Sequence, residues 1–343
     1  TIRNERERRA TAMLAPFMPC GAKLPVIALF AGAFFDNADW VGTMMYFAGI
    51  ALILIGALLV NRISGNRNRK SFFIIELPEY KLPSVKRAFV SMCSRGWAYI
   101  VKAGTVILVC NTVVQIMQSF NWSFQEAETA SESILATVAN PIAYLLVPIV
   151  GVVSWQLAAA AVTGFIAKEN VVGTLAVCFV GLENLIDTEE LALMEGAGSE
   201  VAGIIALTKV AALAYLMFNL FTPPCFAALG AMNSEINDRK WFWGGVALQL
   251  GVGYSVGYLV HTLGTVIVNL VKVVGIAVDQ GVKLLSSTFF ADMMGIIRAN
   301  PVELRVWPTL GGGLFVLGFA AVLVVLCIRG DKKGTQGSAL RAE

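Results

Sequence analysis

Three short stretches of this chain set polar or sulfur-bearing residues beside helix-breaking ones, inside otherwise apolar sequence. The first is Pro16-Phe-Met-Pro-Cys-Gly-Ala-Lys-Leu-Pro25. A proline removes a backbone donor and crowds the carbonyl one turn back, so this segment does not fit an uninterrupted helix. Carbonyls freed in this way must be met by neighbours, by water or by an ion, and Met18, Cys20 and Lys23 sit at the break. The second stretch, Phe221-Thr-Pro-Pro-Cys-Phe-Ala-Ala228, again follows proline immediately with a cysteine, Cys225. Met18–Ala22 and Pro223–Ala227 share the pattern x-Pro-Cys-x-Ala. Paired broken apolar segments in the two halves of a chain point to a transport site at a repeat interface. The third stretch, Thr163-Gly-Phe-Ile-Ala-Lys-Glu-Asn-Val-Val-Gly173, carries Lys168, Glu169 and Asn170 deep in an apolar run. Adjacent helical positions point in different directions, so Lys168 and Glu169 need not pair with each other. Each is expected to face a cavity or a partner rather than lipid. The plainer alternatives are that the cysteines are small packing residues and that Lys168–Glu169 is a structural ion pair.

Other chemistries find no support. No phosphate-binding GxxxxGK[ST] loop occurs, and Gly65-Asn-Arg-Asn-Arg-Lys-Ser71 lacks its second glycine. HExxH and kinase signatures are missing as well. The sole histidine, His261, cannot build a histidine-based zinc or catalytic site and reads as an interfacial residue. The six cysteines are scattered without a CxxC, which argues against a disulfide framework. A net charge of +3, with no basic run interleaved with aromatics, gives no nucleic-acid footprint.

The elements that must position these groups are membrane helices. Of 343 residues, 57% are hydrophobic and 14% charged, and the mean hydropathy is +0.71; soluble domains carry roughly 25% charged residues. The expected fold is therefore an all-α polytopic membrane protein with about seven or eight transmembrane or re-entrant helices, several of them broken by proline. A spanning helix takes about 20 predominantly apolar residues. Apolar stretches of that kind cover 12–35, 40–60, 97–118, 134–150, 152–180, 201–221, 241–260 and 309–328, with 134–150 expected to be split by Pro141 and Pro148. Residues 264–300 alternate apolar and polar residues and read as an interfacial or re-entrant helix. Bases without acids gather in 61–70, and acids without bases in 121–135 and 181–200. That segregation predicts that 1–9, 61–95, 232–240 and the C-terminus are cytoplasmic and the acidic loops external. The opening run TIRNERERR is not a signal peptide and reads as a cut through a longer protein.

These stretches together resemble the membrane domain of FeoB-type ferrous iron transport proteins. The likeness rests on PFMPCGAKLPVIALFAGAFF (16–35), ELPEYKLPSVKRAFV (76–90), RGWAYIVKAGTVIL (95–108), WQLAAAAVTGFIAKENVVGTL (155–175) and MFNLFTPPCFAALGAM (217–232), in order. It departs from the family in having Pro19 where many relatives have serine, and Asn170 where valine is common. The resemblance implies two Gate-type repeats. Residues 1–95 would hold the end of the first repeat and a C-terminal-type region, 96–232 the second repeat, and 233–343 the last helices and a cytoplasmic tail. It also implies Fe2+ as the transported ion, with Cys20, Cys225, Met18, Glu169, Asn170 and Lys168 along its path. Fe(II) is borderline in softness and accepts thiolate, thioether, carbonyl and carboxylate ligands. No permanently bound cofactor is expected, and GTP would act only through a cytoplasmic G domain outside this chain. The other implied partners are the lipid bilayer, small accessory Feo proteins and further copies of the chain, in a bacterial cytoplasmic membrane. The alternative is a Gate-type transporter of another solute, such as a nucleoside, or a membrane scaffold.

Overall fold

The structure is a computed structural model that describes residues 5–35, 39–63, 84–127, 130–179, 207–279 and 312–327. Eleven helices occur there: α1 Glu5–Leu14, α2 Leu24–Phe34, α3 Asp39–Ile63, α4 Val85–Ser119, α5 Ile134–Val150, α6 Trp155–Ile166, α7 Asn170–Phe179, α8 Lys209–Phe221, α9 Phe226–Ile236, α10 Arg239–Asp279 and α11 Gly312–Cys327. Among the described residues the only extended pairing is an isolated bridge between Phe120 and Glu126. Residues 7–34, 40–60 and 239–269 are long and apolar enough to cross a membrane. Two bent pairs, α5–α6 and α8–α9, and the shorter apolar stretches Gly104–Ser119 and Gly312–Cys327 complete an all-α membrane architecture.

Sequence explains where several helices begin. Ser133 Oγ accepts from the Ala136 amide, Ser154 Oγ from Leu157 and Thr208 Oγ1 from Ala211, each filling one of the orphan donors of a first turn. Gly151, at φ +80°, closes α5 in the left-handed conformation that glycine adopts at little cost. The chain then turns by 100° into α6.

The buried core surrounds α8, where Tyr215, Leu216, Leu220 and Phe221 are almost wholly enclosed, together with Phe30 from α2, Ile149 from α5 and Leu157 from α6. The α8 helix packs most extensively along α10 and also touches α2 and α5. By contrast, α4 exposes Phe89, Trp97 and Leu108, α3 exposes Leu54 and Leu58, and α11 exposes Leu314 and Leu317. Such large apolar surfaces suit helices that face hydrocarbon.

Five expectations are corrected. The helix α5 runs unbroken through Pro141 and Pro148, because each proline removes one amide from a ladder otherwise intact and the helix is locked by burial from Leu135 to Val150. The stretch 152–180 is instead two helices, broken at Ala167–Glu169, where Ala167 is extended at φ −148°, ψ 123°. The helix expected over 97–118 begins at Val85, and the one expected over 241–260 extends to Asp279. Residues 264–279 therefore continue α10 instead of forming a separate interfacial helix, and 280–300 lie outside the described residues. Most of the basic segment 61–95 and the whole acidic segment 181–200 also lie outside them.

Candidate functional site where three broken helices meet

The proline–proline step at 223–224 sets the geometry of the site. In a continuous helix the carbonyls of Asn219 and Leu220 would accept from the amides of residues 223 and 224. Both are proline and have no N–H. The α8 helix accordingly ends at Phe221, the chain is extended at Thr222, and α9 restarts at Phe226 after a bend of 41°. Two acceptors are left facing inward in apolar surroundings.

Lysines from the other two breaks supply the missing donors. Lys168 Nζ donates to the Asn219 carbonyl at 2.9 Å, to Asn219 Oδ1 at 3.0 Å and to Thr222 Oγ1 at 3.1 Å. Lys23 Nζ donates to the Leu220 carbonyl at 2.7 Å and to the Pro16 carbonyl at 2.9 Å. Pro16 also lies in a broken stretch, since the residue three positions on is Pro19, another residue without a donor. The first break (residues 15–23) is built from two short 3-10 turns, Ala15–Phe17 and Gly21–Lys23, joined by extended backbone at Met18 and Cys20. Lys23 is only 4% exposed and Lys168 3%. The three stretches singled out by sequence thus converge, and two ammonium groups hold them together.

Packing supports the same junction. Phe17 meets Phe221 at 6.4 Å between ring centroids, joining the first break to the second, and Phe165 meets Phe226 at 5.2 Å, joining the third to the second. Thr163 and Thr174 hydroxyls bond across the third break at 2.8 Å. Gln249 on α10 donates to the Met13 carbonyl at 2.9 Å, just before the first break. Two glycines permit the close approach of flanking helices. A Cβ on Gly253 of α10 would lie 2.8 Å from the Thr222 nitrogen, and one on Gly49 of α3 would lie 3.1 Å from the Pro19 ring.

The candidate path residues divide around this junction. Lys168 points into it. Cys20 is exposed, Cys225 is half-buried as the residue before α9, and both sulfurs are within electrostatic reach of both buried ammonium groups. Met18 is 49% exposed. Asn170 turns away, donating through Nδ2 to Asn111 Oδ1 at 2.8 Å. Glu169 is exposed, and at the non-helical step 167–169 the two side chains part, Lys168 inward and Glu169 outward. The structural ion-pair reading of Lys168–Glu169 fails for the same reason, because Lys168 bonds carbonyl, amide and hydroxyl oxygens instead. Among the described residues, no group of three or more His, Cys, Asp or Glu side chains is placed to hold a metal ion.

The family described as "Ferrous iron transport protein B C terminus" matches residues 43–95, and the family described as "Nucleoside recognition" matches residues 100–239. A protein of Staphylococcus aureus (strain COL) named Fe(2+) transporter FeoB is 32% identical over 270 residues, covering 77% of this chain and 38% of that protein. One of the same name from Salmonella typhimurium (strain LT2) is 29% identical over 303 residues, covering 76% of this chain and 39% of its own length. The chain belongs to the FeoB family.

It spans about two fifths of the length of the curated FeoB relatives it matches. No solved structure matches it. Within this FeoB-family membrane region, the residues that sequence reasoning passed over are Asn219, Thr222 and Gln249. The signal for Asn219 was available, since it stands four positions before Pro223 and so must carry an orphaned carbonyl. Lys23 stood in plain view at the first break, yet nothing in its spacing said that its ammonium would cross to Leu220.

Proposed function

We propose that this chain is the membrane permease region of a ferrous-iron uptake transporter, with Fe2+ passing beside Cys20 and Cys225. The observation that carries the reading is the meeting of the two Pro-Cys breaks at one junction, in a chain whose relatives are named Fe(2+) transporters. Two sulfurs on broken backbone offer few ligands and no closed cage, which suits an ion that must leave again. Fe(II) accepts such sulfur and carbonyl ligands. Met18, exposed at the first break, and Glu169, exposed at the third, are assigned to the outer parts of the path, with Asn170 supporting that segment from Asn111. Lys168 and Lys23 act as positioning residues that hold the freed carbonyls in place. Transport itself requires no catalytic group in this chain. GTP binding in a cytoplasmic G domain, small accessory Feo proteins, Gate repeats divided near residues 95 and 232, and a multi-pass course through the bacterial cytoplasmic membrane with the C-terminus in the cytoplasm complete the proposal. The relatives' names favour iron over a nucleoside as the solute.

The test is Fe2+ uptake by the full-length protein carrying Cys20→Ser or Cys225→Ser, with membrane abundance measured in parallel. The exchange is nearly isosteric, so packing is preserved, but a hydroxyl is a harder and poorer ligand for Fe(II). Uptake falling at least about tenfold per unit protein in each variant is expected, equivalent to losing roughly 1.4 kcal/mol. Wild-type uptake in both would overturn the sulfur path.

A further inference from the structure

On one side of the junction, toward the helix ends where Arg9 pairs with Asp238 at 3.9 Å, α1, α9 and α10 pack against one another. Gln249 of α10 stands at their meeting point, wholly buried between Met13 of α1 and Met232 of α9, which are buried as well. It lies one helical turn from Gly253, which abuts the second break at Thr222. Met13 comes just before the first break, and Met232 lies on the helix that Cys225 begins. The Gln249 amide is satisfied at one end only. Its Nε2 donates to the Met13 carbonyl at 2.9 Å and to Met232 Sδ at 3.7 Å. Its Oε1 is buried and has no hydrogen-bond partner among the described residues. A buried acceptor left in that state is costly, so its present orientation holds only while no better one is offered.

We propose that Gln249 Oε1, Met232 Sδ and the Met13 carbonyl form a transient second station for the transported divalent cation, entered by a half-turn of the Gln249 amide. The two ends of a carboxamide are nearly equal in size, and its terminal torsion is broadly twofold, so the half-turn takes no extra room. It sets three acceptors around one point, an arrangement that repels itself unless a cation lies between them. The spacing suits one. Octahedral metal–oxygen distances of about 2.1 Å put neighbouring oxygens about 3.0 Å apart, close to the 2.9 Å span that Oε1 inherits from Nε2. Met232 Sδ stands further off, as the longer bonds of sulfur require. A thioether favours Fe2+ over the harder Mn2+. All three ligands are neutral, so the ion is held weakly enough to move on. With no ion present, Nε2 turns inward, ties the three helices together and closes the passage. The inference rests on the iron reading for the identity of the ion and adds a site that the two cysteines do not share.

The experiment measures Fe2+ and Mn2+ uptake by the full-length protein carrying Met232→Leu or Gln249→Leu, normalised to membrane abundance. Met232→Leu conserves volume and removes only the sulfur, so packing is kept. It should lower Fe2+ uptake about fivefold, the factor that matches ~1 kcal/mol, and narrow the preference for Fe2+ over Mn2+ by a similar factor. Gln249→Leu removes the oxygen ligand and should lower uptake of both ions by about tenfold or more. A strut that only ties α10 to α1 and α9 needs the donor end of Gln249 alone, and its loss would not move the ratio of the two ions. Unchanged Fe2+ uptake and an unchanged Fe2+/Mn2+ ratio in Met232→Leu would overturn the station and leave Gln249 as such a strut. Wild-type uptake in a folded Gln249→Leu variant would overturn it too. Should Gln249→Leu fail to reach the membrane, Met232→Leu decides. The iron path at the junction fails separately: wild-type uptake in the two cysteine variants, with the Met232→Leu effect intact, would sink that reading and leave the station standing.

Discussion

The two Pro-Cys breaks share three positions of a five-residue pattern yet are solved in opposite ways. The first break brings its own cation: Lys23 follows Cys20 by three residues and caps the Pro16 carbonyl from within the same segment. The second has no charged residue between Asn219 and Ser234 and borrows both ammonium groups, Lys23 from before it and Lys168 from the third break. The first has Pro19 alone at its cysteine and keeps two 3-10 turns, whereas the doubled proline of the second removes two successive amides and exposes two carbonyls in a row. A shared motif therefore marks where a helix must break but not how the break is satisfied. The difference makes the second break the acceptor hub and the other two its donors.

This contrast can be broken most severely at Lys168. Lys168→Met keeps the length of the side chain but strands Asn219 Oδ1 and leaves the Asn219 carbonyl and Thr222 Oγ1 only the bond between them, and should lower stability by on the order of 3 kcal/mol. Thermal unfolding in detergent would read this as a large downward shift; an unchanged melting temperature would mean that the three oxygens find other donors. Lys23→Met removes two bonds and is expected to cost less, about 2 kcal/mol, in the same assay.

Gly253→Ala tests whether the hub depends on the close approach of α10. The added methyl would press on the backbone at Thr222 and Phe221, which cannot rotate away, and should cost about 1–3 kcal/mol. Smaller still is Pro19→Ser at the first break. Its buried ring faces Gly49 of α3, and the two Lys23 bonds do not involve it. A loss of about 1 kcal/mol is expected, with iron uptake retained. A loss as large as that of Lys23→Met would show that the first break is held by its prolines rather than by its lysine.

Much of this was legible in the sequence because proline and lysine are costly in apolar helices for reasons that do not depend on the fold. The membrane class, the two proline breaks and the inward course of Lys168 followed from residue type and context. The failures have equally local causes. Pro141 and Pro148 looked like breaks in sequence, yet burial along α5 holds that helix together. The stretch 152–180 was expected as one span, and the extended Ala167 followed by a turn at Lys168 and Glu169 divides it. What no spacing could reveal was which carbonyl each lysine would reach, since Lys23 and Leu220 are 197 positions apart.

The central claim is that the three breaks form one joined site, with both lysines acting on the same four-residue hub, Asn219–Thr222. The most direct test is the coupling between Lys23→Met and Lys168→Met, measured as unfolding free energies of the two single variants and the double variant. A joined site predicts that the double variant loses less than the sum of the singles by at least about 1 kcal/mol, because the first substitution already loosens the hub on which the second acts. Losses that add within about 0.5 kcal/mol would show two independent contacts and contradict the account.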